Sequence, residues 1–281
     1  MLLKAEDYIK PKIIELRSRV EKLQKTPKLV IIRVGNDFAS GKYVDNKIKR
    51  CNEVGVNSEI IHLEENVTNV DVARTIYRLN KNPKITGILL QLPLPKHLDE
   101  NFLTSLIRND KDVDGFTPVN MGKLVLGQEE NTACTPRGII SLLKHNNIEL
   151  EGKDVLIINR SNIVGKPLMH LFLKENATVT IAHSKTENLK KKIKRSDIVV
   201  TGVGIPNFLT YKDFKRGTTI VDVSINYDEN NKLCGDVKKS DYEKIIKRKC
   251  NITPVPCGIG QMTVIELIEQ AIEIAEREQN D

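Results

Sequence analysis

Tryptophan is absent from this chain of 281 residues, and phenylalanine and tyrosine number only six each. Proteins that bind single-stranded nucleic acid stack the bases on aromatic rings, and few rings are available here. Basic residues exceed acidic ones by 44 to 37, which gives a formal charge of +7. Much of this excess is dispersed over predicted helix faces. The composition therefore disfavours a nucleic-acid partner and suits ligands that carry phosphate or carboxylate groups.

The chain has five cysteines, an odd number, and no two of them form a Cys-x-x-Cys pair. This pattern argues against a disulfide framework and against a zinc site, so we expect reduced thiols and no metal. Residues 1–12 are interrupted by charges and contain no apolar run long enough for secretion or membrane crossing. We therefore expect a cytoplasmic protein with no membrane partner.

Apolar runs typical of buried β-strands alternate with segments of helical periodicity. The first series predicts strands over 29–34, 59–62 and 85–90, each followed by a helix, over 39–54, 70–79 and 101–108. The second series predicts strands over 155–158, 179–182, 198–202 and 219–223, with helices over 168–174 and 189–194. Alternation of this kind indicates parallel sheets covered on both faces. The predicted fold class is α/β, with two open α/β domains.

Two stretches rich in glycine and proline divide the chain. One is the turn at 114–118, which we interpret as a hinge, and the other is the turn at 253–258, which precedes a predicted closing helix over 262–277. That helix has an apolar face, so it could return to pack on the first domain. We therefore place one domain at residues 1–118 plus 258–281 and the other at 119–257.

The segment 159–165, Asn-Arg-Ser-Asn-Ile-Val-Gly, directly follows the predicted strand 155–158. A strand that runs into a helix leaves amide N–H groups at the helix start, and such groups bind phosphate oxygens. Gly165 and Pro167 fit the first turn of that helix. Asn159 stands where the GxGxxG motif has its first glycine, so the segment is equally compatible with an ordinary turn.

The next predicted strand ends in Ala182-His183-Ser184-Lys185. Dinucleotide-binding domains that select NAD have an acidic residue near this point, which binds the ribose hydroxyls. Arg160, Ser184 and Lys185 could instead surround a ribose 2′-phosphate, which favours NADP. Alternatively, His183 and Lys185 are surface residues at the end of a strand.

Tyr43 and Lys47 lie four residues apart in a predicted helix, so their side chains project from the same face. They could share a ligand, although an exposed lysine beside a half-buried tyrosine is the commoner reason for this spacing. Short-chain dehydrogenases also use Tyr-x-x-x-Lys, but in them the pair follows the dinucleotide-binding unit. Here the pair precedes that unit by more than a hundred residues, which argues against that family.

Seven short segments together carry a resemblance to a known family. They are the Tyr43/Lys47 pair, Gln91-Leu-Pro-Leu-Pro95, Lys111-Asp-Val-Asp-Gly115, Cys134-Thr-Pro, the 160–167 segment, His183-Ser184 and Thr253-Pro-Val-Pro256. In this order, and over essentially its whole length, the chain resembles bifunctional methylenetetrahydrofolate dehydrogenase/methenyltetrahydrofolate cyclohydrolase. The resemblance implies a catalytic domain completed by the C-terminal helix, a Rossmann-type dinucleotide-binding domain, a folate cleft between them, and a homodimer.

The resemblance also implies two reactions of one-carbon metabolism, which serves purine biosynthesis. The first oxidises 5,10-methylenetetrahydrofolate to 5,10-methenyltetrahydrofolate with NADP, and the second hydrolyses that product to 10-formyltetrahydrofolate in the same cleft. Tetrahydrofolate derivatives are the expected partners, and NADP is the expected cofactor. The alternative is a monofunctional dehydrogenase that lacks the hydrolytic step.

Carried over by residue, the resemblance makes Lys47 the central catalytic group and Gln91 its partner. It makes Tyr43 an aromatic ring that covers the bound folate, and Asp114 the hydrogen-bond acceptor that binds the pterin. Hydride removal mainly requires positioning, whereas hydrolysis requires a base or a hydrogen-bonding group. A neutral Lys47 could act in this way, because desolvation and a cationic methenyl ligand both lower the pKa of an amine.

The remaining implied contacts belong to the substrate and to the cofactor. Pro256 and Gly258 join Tyr43, Gln91 and Asp114 as substrate-binding residues. The cofactor-binding set is Asn159, Arg160, Ser161, Ile163, Gly165, His183, Ser184 and Lys185. Three residues depart from the family pattern: Asn159 and Cys257 replace glycines, and Gln261 replaces a proline.

Overall fold

The computed structural model describes residues 1–35 and 38–280, without the side chains of residues 38–40, 42 and 43. The chain forms two compact units. The 10–132 unit contains residues 10–132 and 264–281, and the 133–263 unit contains residues 133–263 and 1–9. The chain passes from one geometric unit to the other at 9/10, 132/133 and 263/264. The boundaries expected at 118/119 and 257/258 concern ligand-binding domains, and they stay a prediction.

Strands and helices alternate along most of the chain. Before residue 132 the elements are α1 (Ala5–Glu21), β1 (Lys28–Val34), α2 (Phe38–Val54), β2 (Asn57–Leu63), α3 (Asn69–Lys81), β3 (Gly87–Leu90), α4 (Glu100–Ser105) and α5 (Pro118–Val125). After it they are α6 (Cys134–His145), β4 (Asp154–Ile158), α7 (Gly165–Lys174), β5 (Thr178–Ala182), α8 (Leu189–Arg195), β6 (Ile198–Thr201), β7 (Thr219–Asp222), β8 (Asn226–Tyr227), β9 (Leu233–Cys234), α9 (Tyr242–Lys247), β10 (Asn251–Ile252) and α10 (Ile259–Asn280).

The 10–132 unit is built on a parallel sheet of three strands in the order β2-β1-β3. The central strand, β1, contributes Val30 and Ile32 to a buried cluster that also contains Val72 and Ile76 of α3. Helix α3 begins at a capping box, in which Thr68 and Asp71 satisfy each other's backbone N–H groups. Each helix carries the chain back to the end of the sheet at which the strands begin. The next strand therefore runs parallel to the one before it.

The 133–263 unit contains a parallel sheet of five strands in the order β10-β7-β6-β4-β5. From β4 the chain moves to β5 on one side and then returns to β6 on the other side of β4. This reversal is the topological switch point of a doubly wound sheet. In such sheets ligands bind at the carboxyl ends of the strands on either side of that point.

The strands predicted from periodicity match β1 to β7 in position, with ends that differ by a few residues. Helix α1 was not predicted, because Pro11 lies inside it and proline disfavours a helix interior. Helices α5, α6 and α9 and the short strands β8, β9 and β10 were also missed. The helix expected over 101–108 ends at Ser105, and a 3₁₀ turn follows over Asn109–Lys111. Among the described residues, no helix has the length and apolarity needed to span a membrane.

Two helical glycines provide a matched test of this packing. A Cβ atom on Gly165 would lie 2.2 Å from the backbone oxygen of Asn159, whereas one on Gly122 would meet no heavy atom within 4 Å. We expect Gly165→Ala to lower the unfolding free energy by about 1–3 kcal/mol, because the turn before α7 must move. We expect Gly122→Ala to raise it by about 0.5–1 kcal/mol through helix propensity. Urea denaturation measures both, and shifts of the same sign would contradict the described packing.

Candidate active site

Lys47 lies on the buried side of α2, in one row with Val44, Cys51 and Val54. Its side chain is only 7% exposed. The Lys47 Nζ atom donates a hydrogen bond of 3.0 Å to Oε1 of Gln91, the residue that directly follows β3. The structure therefore brings together the two residues that sequence reasoning paired.

The Gln91 side chain is itself held in place. Its Nε2 atom donates to the backbone oxygen of Leu92 at 2.7 Å, so its oxygen faces Lys47. Cys51 lies one turn beyond Lys47 in α2. Burial raises the pKa of the Cys51 thiol to about 12. Cys51 therefore stays a neutral thiol at physiological pH and supplies no negative charge beside the amine.

The two aspartates of the 111–115 segment have different environments. Asp112 is buried, and its Oδ2 atom accepts hydrogen bonds from the Thr117 N–H (2.8 Å) and from Nδ2 of Asn120 (2.9 Å). Asp112 thus fixes the start of α5. Asp114 is partly exposed. Of the two carboxylates, Asp114 is the one that sequence reasoning assigned to substrate.

The backbone on both sides of Asp114 is fixed by close packing. Gly115 has a φ of +67°, and a Cβ atom on it would lie 2.5 Å from the carbonyl carbon of Thr132. From α10, the buried Gln270 donates to the backbone oxygens of Val113 (2.7 Å) and Thr132 (3.0 Å). Sequence reasoning missed Gln270. A polar residue on the apolar face of the closing helix was the signal that could have revealed it.

The other predicted substrate residues are placed as follows. The backbone of Tyr43 belongs to α2, but its side chain lies outside the described residues. Pro256 is exposed and Gly258 is buried, and both belong to the 133–263 unit. A Cβ atom on Gly258 would lie 2.5 Å from the Pro254 oxygen. Cys257, which stands in place of a glycine, has a φ of +79°, a conformation that glycine adopts more easily. Their binding roles stay a prediction.

The turn between β4 and α7 is closed by its own side chains. Oδ1 of Asn159 accepts hydrogen bonds from the N–H groups of Ser161 (2.8 Å) and Gly165 (3.1 Å), and Oγ of Ser161 accepts from the N–H of Val164 (3.1 Å). The expectation of open amides at this turn is therefore wrong for these three groups. The backbone of Asn159 is not left-handed. The glycine that usually stands at this position is therefore not replaced here for its backbone conformation. Arg160 and Ile163 are exposed.

A second turn follows β5. The N–H of His183 donates to Oγ1 of Thr186 (2.8 Å), and the N–H of Lys185 donates to Nδ1 of His183 (3.2 Å). Ser184 and Lys185 are exposed at the carboxyl edge of the sheet. This edge therefore carries Arg160 after β4 and Lys185 after β5, and no acidic side chain takes part in the turn.

Two buried aspartates, Asp222 and Asp236, fix the backbone of loops in the 133–263 unit, and sequence reasoning missed both. Asp236 accepts hydrogen bonds from the N–H groups of Val203, Gly204 and Ile205 at 2.7–3.1 Å. Asp222 accepts from the N–H groups of Asp236 and Val237. Burial raises the pKa of Asp222 to about 7, and the neighbouring Asp236 adds to the shift while the Val237 hydrogen bond opposes it. Within the part of the chain that the structure describes, no group of three or more His, Cys, Asp or Glu residues could hold a metal ion.

The fold and these sites define a class of protein. A doubly wound sheet with basic side chains at its carboxyl edge, and a second α/β unit with a buried lysine, are features of a two-domain dehydrogenase that uses a nicotinamide nucleotide. Residues 4–114 match the model of the tetrahydrofolate dehydrogenase/cyclohydrolase catalytic domain, and residues 133–279 match that of its NAD(P)-binding domain. The chain belongs to the tetrahydrofolate dehydrogenase/cyclohydrolase family.

Individual relatives agree with this assignment. The chain is 44% identical over 280 residues to the bifunctional protein FolD of Bacillus cytotoxicus, covering 99% of this chain and 97% of that protein. The crystal structure of the Campylobacter jejuni bifunctional methylenetetrahydrofolate dehydrogenase/cyclohydrolase has a TM-score of 0.94 and 38% identity, and 99% of each chain is covered. The Trypanosoma brucei enzyme, solved with NADP and an inhibitor, has a TM-score of 0.92 and 30% identity, covering 99% of this chain and 98% of that one.

These findings confirm the predicted family, the α/β fold with a Rossmann-like second domain, the two enzymatic activities and the NADP cofactor. Tetrahydrofolate derivatives are the substrates of the family to which the chain belongs. The monofunctional alternative is not favoured. The cytoplasmic location, the homodimer and the absence of nucleic-acid or membrane partners stay predictions.

Proposed function

We propose that this chain oxidises 5,10-methylenetetrahydrofolate with NADP and hydrolyses the 5,10-methenyl product to 10-formyltetrahydrofolate, with Lys47 acting at the one-carbon unit. The observation that carries this proposal is the buried amine of Lys47, hydrogen-bonded to the neutral amide of Gln91 at 3.0 Å. A lysine kept in this environment is suited to acid–base work rather than to a solvent-exposed charge.

Two neighbours of the Lys47 amine, Gln91 and Cys51, supply no negative charge that would stabilise its protonated form. Burial penalises the charged form of a side chain, and the Gln91 oxygen carries no full negative charge to compensate. Cys51 stays protonated, because burial raises its thiol pKa to about 12. A neutral amine can orient the attacking water and take its proton as the C–O bond to the methenyl carbon forms. The amine that receives this proton becomes an ammonium, which can return it when the ring nitrogen leaves.

The oxidative step demands positioning more than proton transfer. NADP, when bound, supplies the acceptor for the hydride of the methylene carbon. The residues present at the carboxyl edge of the 133–263 sheet fit such a nucleotide, since Arg160, Ser184 and Lys185 are exposed there. We assign the 2′-phosphate to these three residues. Asn159, Ser161, Ile163, Gly165 and His183 complete the proposed cofactor site.

In the folate site we assign the pterin to Asp114, whose ionised carboxylate would accept hydrogen bonds from the aminopyrimidine edge. We place Tyr43, Pro256 and Gly258 at the folate as well. The functional domains of this proposal are residues 1–118 plus 258–281 for folate and 119–257 for NADP. We further expect a cytoplasmic homodimer that works without nucleic acid or membrane.

Replacing Lys47 with methionine tests the proposal directly. Methionine fills a similar volume but cannot exchange a proton, so we expect hydrolysis of 5,10-methenyltetrahydrofolate to fall by about 10²-fold or more. The loss is followed by the absorbance of the methenyl substrate, without NADP present. NADP affinity, measured by calorimetry, should stay within about twofold, because Lys47 belongs to the other compact unit.

Two companion variants sharpen this test. Lys49→Met makes the same substitution at an exposed position of α2 and should leave the rate unchanged. Gln91→Glu keeps an oxygen acceptor but adds a charge that stabilises the ammonium form, so it should also slow hydrolysis. If Lys47→Met hydrolysed methenyltetrahydrofolate at the parent rate, the assignment of Lys47 would be wrong.

The assignment of Asp114 is tested against its neighbour Asp112. Asp114→Asn removes the carboxylate proposed to bind the pterin, so the KM for methylenetetrahydrofolate should rise about 10-fold or more. Asp112→Asn disrupts the start of α5, so it should lower the unfolding free energy by about 1–3 kcal/mol. Steady-state kinetics and urea denaturation of both variants separate the effects. An unchanged folate KM in Asp114→Asn would exclude the proposed contact.

The assignment of Arg160 predicts a change in cofactor preference. Arg160→Ala should weaken NADP binding about 10-fold more than NAD binding, because only NADP carries the 2′-phosphate. Arg216→Ala is the matched control: it removes another exposed arginine, before β7 at the amino edge of the same sheet. Dissociation constants for both cofactors are measured by calorimetry. Equal losses for NADP and NAD would remove the 2′-phosphate assignment.

A further inference from the structure

The side chain of Asn159 connects two loops at the switch point of the five-stranded sheet. Asn159 directly follows β4, and Gly202 directly follows β6, the neighbouring strand. The Nδ2 atom of Asn159 donates a hydrogen bond of 2.6 Å to the backbone oxygen of Gly202. One side chain therefore ties together the carboxyl ends of the two strands between which doubly wound sheets bind their ligands.

The other end of the same amide organises the turn itself. Oδ1 of Asn159 accepts from the N–H groups of Ser161 (2.8 Å) and Gly165 (3.1 Å) and from the Ser161 hydroxyl (2.8 Å). The hydroxyl oxygen of Ser161 then accepts from the N–H of Val164 (3.1 Å). A glycine at position 159 could form none of the side-chain contacts. The turn over 160–164 would then depend on its backbone alone.

The loop that receives the Asn159 hydrogen bond is itself rigidly held. Asp236 is fully buried and accepts from the N–H groups of Val203, Gly204 and Ile205, and from Oγ1 of Thr201 at 2.7 Å. Asn159 thus joins the 160–164 turn to a loop whose backbone amides are fixed by a carboxylate. The hydrogen bond from Asn159 to Gly202 therefore fixes the 160–164 turn relative to the loop after β6.

We propose that Asn159 is a positioning residue for NADP: it fixes the 160–164 turn against the β6 loop and so presents Arg160 and Ile163 to the cofactor. This inference rests on the proposed function, which places NADP at this edge of the sheet. Both polar atoms of the Asn159 amide are engaged within the protein, so it acts through the turn. Ordering the turn before binding lowers the entropy lost when the cofactor binds.

Two variants test this role. Asn159→Gly removes all four hydrogen bonds of the side chain, and we expect the Kd and KM for NADP to rise about tenfold. The kcat at saturating NADP should stay within about twofold, since the turn touches no reacting atom. Asn159→Asp keeps the acceptor but loses the donor to Gly202 and adds a negative charge beside the phosphates, so its Kd should rise at least as much. Asn147→Gly, at an exposed left-handed position in the same unit, is the control and should leave the Kd unchanged.

The outcomes separate positioning from general stability. A raised Kd and KM with a retained kcat supports the proposal. An unchanged Kd in Asn159→Gly overturns it, and so does a loss of activity that only follows the loss of folded protein measured by urea denaturation. If Asn159→Gly does not fold, Asn159→Asp decides alone, because it preserves the contacts within the turn. Failure of the proposed function would be visible separately, because the parent protein would then fail to reduce NADP with methylenetetrahydrofolate.

Discussion

The hydrogen bond between the Lys47 amine and the Gln91 amide is the interaction on which the proposed chemistry of this protein depends. An amine removed from water must be neutral or be compensated by a negative charge. Gln91 orients the amine without supplying such a charge, and Leu92 fixes which end of the amide faces it. Helix α2 places Lys47, and the end of β3 places Gln91. The hydrogen bond between them joins residues 44 positions apart in the sequence.

The 133–263 unit meets a different constraint, the control of loops at the carboxyl edge of a parallel sheet. Loops at such an edge carry many backbone N–H groups, and each buried one needs an acceptor. Asn159 and Asp236 provide acceptors for the loops after β4 and β6, and Asp222 provides them for Ser224 after β7 and for Val237 after β9. The proposed cofactor binding at this edge therefore depends on residues that fix the backbone as well as on exposed residues such as Arg160 and Lys185.

Periodicity predicted β1 to β7. Strands among them that are buried on both faces, such as β3 and β6, form unbroken apolar runs. Periodicity failed at α1, where Pro11 conceals a helix, and at Gln270, whose role arises from backbone groups more than 130 residues away. The turn at 159–165 was located correctly, but its hydrogen bonding was not. A sequence pattern predicts where backbone N–H groups are available for a ligand. Only the structure shows that a side chain of the turn already accepts hydrogen bonds from them.

The sequence by itself determined the α/β class and the order of the segments, because these follow from residue type and spacing along the chain. Its resemblance to a known family marked Lys47, Gln91 and Asp114 as chemical candidates. Tertiary structure decided which aspartate of the 111–115 segment is structural, that the amine of Lys47 is withdrawn from water, and that Asn159 bridges two strands. These properties arise from contacts between residues distant in sequence. Burial and hydrogen-bond partners are set by the packing of whole elements, which no local pattern encodes.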